Sequence, residues 1–210
     1  MVDVIPGILT DSLEDAQSKL KKLEGLVNLV HIDVADGRFV PNLTIQAKDI
    51  AKLETKIPFN LHLMIYTENN QIYPFGRTKA EGLIFYPKTT KNPKSAVEII
   101  KTFGKKVGLA FDPDDIVSEQ ASLFPYIDFA LVLGVTPGFT GQEFQPAILP
   151  KISQIKEIQP QLKVGVDGGI NDKTAKMAVT AGADFIVSSS FIWESESPSQ
   201  AIEILKKEVG

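Results

Sequence analysis

His31-Ile32-Asp33-Val34-Ala35-Asp36-Gly37 is the stretch on which the fold turns. It is a short apolar run that carries polar side chains at alternate positions and closes on Asp-Gly, the pattern of a buried strand running into a loop. The chain has two histidines, and the second lies in a matching run, Leu61-His62-Leu63-Met64. Near the far end, Val164-Gly165-Val166-Asp167-Gly168-Gly169 closes on a carboxylate in the same way. Two imidazoles and two carboxylates therefore sit at the C-terminal ends of three strands.

Outward from these runs, the chain alternates short apolar stretches with longer amphipathic ones. Strands are expected near Val4-Leu9, Val27-Asp33, Phe59-Met64, Gly82-Tyr86, Lys106-Phe111, Phe129-Leu133, Leu162-Asp167 and Phe185-Ser188. Ser12 to Leu23 has helical apolar spacing at Leu13, Ala16, Leu20 and Leu23. Pro93 to Phe103 has proline near a helix start and Gly104 just past its end. Ala147 to Ile158, Asp172 to Ala181 and Pro198 to Val209 repeat the theme, with Asn171 or Asp172 placed to cap its helix. The weakest unit is Thr67 to Lys79, where Pro74 and Gly76 should shorten or break the helix. Repeated strand–helix pairs imply a parallel sheet. An open doubly wound sheet is one solution. A closed (β/α)8 barrel of the TIM type accounts better for eight pairs in 210 residues. No linker, charge block or low-complexity segment marks a second domain, so residues 1–210 read as a single α/β barrel domain.

Strand alternation then assigns faces. His31 and Asp33 share one face, His62 shares its face with Asn60 and Met64, and Asp167 shares its face with Gly165. In a barrel all four polar groups point toward the axis at the catalytic end. A lone buried histidine is usually a core residue, and a lone aspartate often caps a helix. Four such groups together, with two carboxylates that would be costly to bury unpaired, point instead to a divalent cation. Imidazole and carboxylate suit Zn, Mn, Fe or Co equally.

A second set of residues is suited to phosphate. Pro137-Gly138-Phe139-Thr140-Gly141-Gln142 follows the sixth strand, Gly168-Gly169 the seventh and Ser188-Ser189-Ser190 the eighth. Glycines let backbone amides approach an anion, and barrels often hold phosphate in the loops after strands seven and eight. Each loop alone reads as an ordinary tight turn. It is their joint placement that suggests a site.

The bulk properties restrict the alternatives. A net charge of −4 lacks the basic field of a nucleic-acid or membrane-surface binder. Zero cysteines exclude disulfides and thiolate ligands. No apolar run approaches the roughly 20 residues of a membrane helix, and Met1-Val2-Asp3-Val4 does not resemble the basic start of a signal peptide. The expectation is a cytoplasmic protein that binds neither nucleic acid nor membrane.

With these residues in view, the chain resembles the ribulose-phosphate 3-epimerase family over nearly its whole length, from Pro6-Gly7-Ile8-Leu9 to Ser188-Ser189-Ser190. The most specific stretches run from His31 through Gly37-Arg38-Phe39-Val40-Pro41 to Asn42, from Leu61 to Met64, and from Pro137 to Phe144. Val166-Asp167-Gly168-Gly169-Ile170 adds a fourth. The resemblance implies a TIM barrel with one metal held by His31, Asp33, His62 and Asp167. It implies interconversion of D-ribulose and D-xylulose 5-phosphate, a step of the pentose phosphate pathway, with Asp33 and Asp167 as the two acid/base groups. It also implies a sugar-phosphate ligand, contacted by Gly7, Met64, Gly138, Phe139, Thr140, Gly141, Gly168, Gly169, Ser189 and Ser190, and a homo-oligomer.

The chain departs from the family around the sugar. Gly7 replaces a serine, removing a substrate hydrogen bond, and Ala35 and Leu133 replace methionines. Tyr86 stands where the family often has histidine, and Phe85-Tyr86-Pro87-Lys88-Thr89-Thr90 replaces its Glu-Ala-Thr segment. Thr140 and Ser189 stand where glycines are usual. The ring of Tyr86 is expected to refill space opened at Gly7 and Ala35, and restoring Ser at 7 with Met at 35 is expected to raise kcat/KM for ribulose 5-phosphate. Two classes of function follow. One is an epimerase, on ribulose 5-phosphate or a related ketose phosphate such as allulose 6-phosphate. The other is a non-catalytic barrel that binds a sugar phosphate. Retention of both aspartates and both histidines favours the enzyme, because a binder needs no paired acid and base.

Overall fold

The computed structural model describes residues 2–68 and 71–210. Eight parallel strands form a closed barrel in sequence order. They are β1 (Asp3–Ile8), β2 (Val30–Ala35), β3 (Phe59–Met64), β4 (Gly82–Phe85), β5 (Lys106–Phe111), β6 (Phe129–Leu133), β7 (Lys163–Asp167) and β8 (Phe185–Ser188). Closure is made by β1 on β8, with Asp3 opposite Phe185 and Pro6 opposite Ser188. That pairing excludes the open sheet. β2 begins at Val30 rather than at Val27 and runs on to Ala35.

The helices are α1 (Leu13–Leu23), α2 (Ala47–Ile50), α3 (Ile72–Gly76), α4 (Pro93–Thr102), α5 (Leu149–Ile158), α6 (Asp172–Thr180), α7 (Ser190–Trp193) and α8 (Pro198–Val209). Local chemistry sets their ends. The Ser12 side chain accepts from the Asp15 amide at the start of α1, and Asn171 forms a capping box with Thr174 at the start of α6. α3 has only five residues, as Pro74 and Gly76 dictate; Asn69 and Asn70, within the weak unit, lie outside the described residues. After β5 the connection is a 3-10 segment, Val117–Tyr126, that contains Pro125. No helix among the described residues is long and apolar enough to cross a membrane.

Two apolar layers result from the alternation. Val30, Ile32, Val34, Leu61, Leu63, Val164 and Val166 face outward and join Leu20, Leu23, Ile152 and Leu205 between sheet and helices. Each such side chain, fully buried, contributes roughly 1.5–3 kcal/mol. Inside the barrel, Ile5, Ala35, Met64, Ile84, Tyr86, Phe129, Leu131, Leu133 and Val187 form a second cluster. Large side chains on its floor fit beside inward glycines. The ring of Phe129 fills the space a Cβ on Gly108 would need, and Phe185 does the same at Gly165. The two rings meet edge to face, 5.9 Å between centroids. This packed floor fills the barrel interior beneath the C-terminal ends of the strands.

Candidate metal centre and active site

His31 and Asp33 lie on β2, His62 on β3, and Asp167 ends β7. All four are buried. Register explains their meeting, since Asp33 stands opposite His62 and both carry inward side chains. One ligand atom from each lies within 4.8 Å of the others. His62 Nδ1 is 2.9 Å from Asp33 Oδ1 and 3.8 Å from Asp167 Oδ2. His31 Nε2 is 3.2 Å from Asp33 Oδ1 and 3.6 Å from Asp167 Oδ2. Among the described residues, that nitrogen has no hydrogen-bond partner despite its depth. An orphaned buried imidazole nitrogen, aimed at two carboxylates, fits a divalent cation well. The four residues can therefore hold one.

The two carboxylates differ. Burial would raise Asp33, but the imidazoles of His31 and His62 beside it outweigh burial and hold Asp33 below the ordinary carboxylate range. Burial raises Asp167, and the negative charge of Asp33 adds to the effect against the attraction of His31 and His62. For His31, burial disfavours the charged form, but the adjacent carboxylates of Asp33 and Asp167 prevail and raise it. Carboxylates pushed in opposite directions are the usual basis of an acid/base pair.

Neighbouring groups hold these four side chains in place. Thr44 Oγ1 donates to the Asp33 carbonyl and accepts from the Ala35 amide, both at 2.9 Å. Tyr86, just beyond β4, is fully buried, and its hydroxyl lies 3.0 Å from His62 Nε2. Burial, together with the carboxylates of Asp112, Asp167 and Asp33, raises this phenol well above its ordinary value, so it stays neutral. The Lys88 ammonium lies 5.7 Å from the centroid of the Tyr86 ring and is paired with Asp112 and, at 2.9 Å, with Asp115. Burial works against the charge of Lys88, but the two carboxylates outweigh it and raise its pKa. Neither Thr44 nor this pair stood out in the sequence. Their roles depend on loops folding back over strand ends, for which local patterning gives no signal.

A cavity opens above the cluster. It is walled by Leu9, Met64, Leu133 and Val187 and rimmed by residues 137–142, Gly168, Gly169, Ser189 and Ser190. Gly138, Gly141, Gly168 and Gly169 all have positive φ, which favours glycine. The crossing is also tight, since a Cβ on Gly169 would come within 2.8 Å of the Phe144 backbone. Gln142 Nε2 donates to the carbonyls of Thr136 and Phe139, and Asn42 Nδ2 donates to that of Gly138. The loop after β6 is thus clasped to the loop after β2, with Phe139 exposed at its tip. The expected phosphate residues, Gly138 to Gly141, Gly168, Gly169, Ser189 and Ser190, are brought together, as is Met64. Gly7 and Tyr86 depart from expectation. Gly7 does not line the cavity, because its side-chain space is taken by Ser189 Oγ; the ring of Tyr86 does not refill that space but serves His62.

Comparison with known proteins agrees with this geometry. The model of the ribulose-phosphate 3 epimerase family matches residues 3–193. This chain belongs to that family. A ribulose-phosphate 3-epimerase of Bacillus subtilis is 31% identical over 214 residues, covering 98% of this chain and 99% of its own length. One from Mycobacterium tuberculosis is 32% identical, covering 99% and 93%. The fold is also that of 3-hexulose-6-phosphate synthase from Salmonella typhimurium, with TM-score 0.75, 15% identity and coverage of 99% and 98%.

Proposed function

We propose that this chain is a metal-assisted isomerase that inverts C3 of a ketopentose 5-phosphate, interconverting D-ribulose and D-xylulose 5-phosphate. The observation that carries the reading is the buried cluster of His31, Asp33, His62 and Asp167 on the floor of a glycine-rimmed cavity, in a member of this family. The C3 proton is acidified by the C2 carbonyl. One aspartate removes it from one face to give an enediolate, and the other returns a proton to the opposite face, so that Asp33 and Asp167 exchange the roles of acid and base with reaction direction. A divalent metal held by the four ligands, whether Zn, Mn, Fe or Co, supplies electrostatic stabilisation of the charge that develops on the substrate oxygens.

In this reading the phosphate lies among residues 138–141, Gly168-Gly169, the Ser189 backbone amide and Ser190. Among the described residues that line the cavity there is no lysine or arginine, so backbone amides and hydroxyls meet the phosphate charge. Binding there supplies remote energy for positioning C3 between the carboxylates. The test is a coupled assay with ribulose 5-phosphate, with and without chelator, together with C3 proton exchange in deuterated water. Turnover lost on chelation and regained with metal supports the reading. Absence of both turnover and exchange in metal-loaded protein refutes it.

A further inference from the structure

We propose that the Ser189 hydroxyl binds an oxygen of the sugar rather than the phosphate, and that Gly7 is a glycine because Ser189 occupies the place of its side chain. This rests on the reading of the cavity as a ketose-phosphate site and deepens it.

Gly7 and Ser189 face each other across the seam that closes the barrel. Pro6 pairs with Ser188, so the next residues of the two strands are neighbours, and both continue the inward phase set by Ile5 and Val187. A Cβ built on Gly7 falls far inside van der Waals contact of Ser189 Oγ and 3.2 Å from Val187 Cγ1. The barrel floor uses the same device, with Phe185 beside Gly165 and Phe129 beside Gly108. At the mouth the filling group is a hydroxyl, and it is one without structural employment. Ser189 is the N-cap of α7, yet its side chain makes no capping hydrogen bond. Its neighbour Ser188, by contrast, is fully engaged and donates to the Ile170 carbonyl at 2.9 Å.

Position decides what this hydroxyl meets. Gly7 stands in register with His31 on β2, so the space beside Gly7 adjoins the ligand cluster, where the sugar carbons must lie. Ser189 also lines the cavity together with Asp33, His62 and Asp167. The resemblance puts serine at the position of Gly7 and glycine at that of Ser189, and this chain has the reverse. A hydroxyl just beyond β8 therefore stands in the site where β1 offers none. Restoring Ser at position 7 alone is then expected to do harm, opposite to the expectation from sequence.

The experiment is a double-mutant cycle of Gly7→Ser and Ser189→Gly, with Ser189→Ala as the variant that keeps Cβ and loses only the hydroxyl. Losing one neutral hydrogen bond of about 0.5–1.5 kcal/mol corresponds to roughly a two- to twelve-fold change. Ser189→Ala should raise KM for ribulose 5-phosphate by about that factor, and leave competitive inhibition by inorganic phosphate unchanged. Gly7→Ser alone should lower kcat/KM, and the double variant should recover it, a strongly non-additive result. Equal loss of phosphate inhibition in Ser189→Ala would make Ser189 a phosphate ligand and overturn the inference, as would additive effects in the cycle. If the metal-loaded, unaltered protein shows neither turnover nor C3 exchange, the epimerase reading fails by itself. Calorimetric binding of ribulose 5-phosphate to the same five proteins then decides the Ser189 inference independently, with unchanged affinity in Ser189→Ala counting against it.

Discussion

The phenol oxygen of Tyr86 lies 3.0 Å from Nε2 of His62, on the nitrogen opposite the one that faces Asp33 at 2.9 Å. A metal-ligating imidazole almost always sets its other nitrogen against a partner, and the nitrogen of His62 that faces away from the cluster meets a neutral, fully buried phenol. Tyr86 therefore fixes the orientation of His62 without joining the cluster itself.

Tyr86→Phe should weaken divalent-metal binding by about ten-fold or more, since partners of ligating histidines typically contribute that much. Titration calorimetry of chelator-stripped protein with Zn or Mn measures it directly. Affinity equal to that of the unaltered protein would show that packing alone orients His62.

Asp33→Asn and Asp167→Asn should each lower kcat by about 10²-fold or more, with the fold retained, because each removes a proton acceptor at nearly constant size. Turnover alone cannot separate this loss from a weakened metal site, so exchange at C3 is followed in deuterated water. A variant that keeps one working base should still exchange from one face. Either variant turning over at the original rate would remove that aspartate from the mechanism.

Gly165→Ala tests the floor of the barrel. Its Cβ would collide with the Phe185 ring, which is itself packed on Phe129. A loss of about 1–3 kcal/mol is expected, as for other overpacked cores. Chemical denaturation of metal-free protein measures it, and trimming the ring with Phe185→Leu in the same background should return part of the loss.

Asp184 gives stability a defined pH dependence. It accepts from the Val164 amide and pairs with Lys156 and Lys163, at the end of the barrel opposite the cavity. Burial opposes its charge, but these partners outweigh burial and hold its pKa below the unfolded value. The stabilisation it provides is therefore complete above the unfolded carboxylate pKa and is lost as pH falls through the lowered folded one. Asp184→Asn should lower the thermal midpoint at pH 7, and the difference should shrink as the solution is acidified below the usual aspartate range. A difference that stays constant down to strong acid would show that the ionised form makes no special contribution.

Much of this protein was determined by its sequence. Alternating apolar runs fixed which residues of β2, β3 and β7 face inward, because side chains on a strand can only alternate. The pattern alone therefore brings His31, Asp33, His62 and Asp167 to one end of the barrel interior. Glycines in the loops after β6 and β7 signalled close backbone approach, since other residues would be strained or too large there. Three-dimensional closure decided the rest. The pairing of β1 with β8 joins residues about as far apart as the chain allows, and only that contact shows Ser189 filling the space beside Gly7. The contacts of Tyr86 with His62, of Thr44 with the Asp33 carbonyl and of Lys88 with Asp112 arise where separate loops and strands meet. Periodicity tells which way a side chain faces. Only packing tells which neighbour it finds there, because that neighbour comes from another part of the chain and leaves no trace in the local pattern.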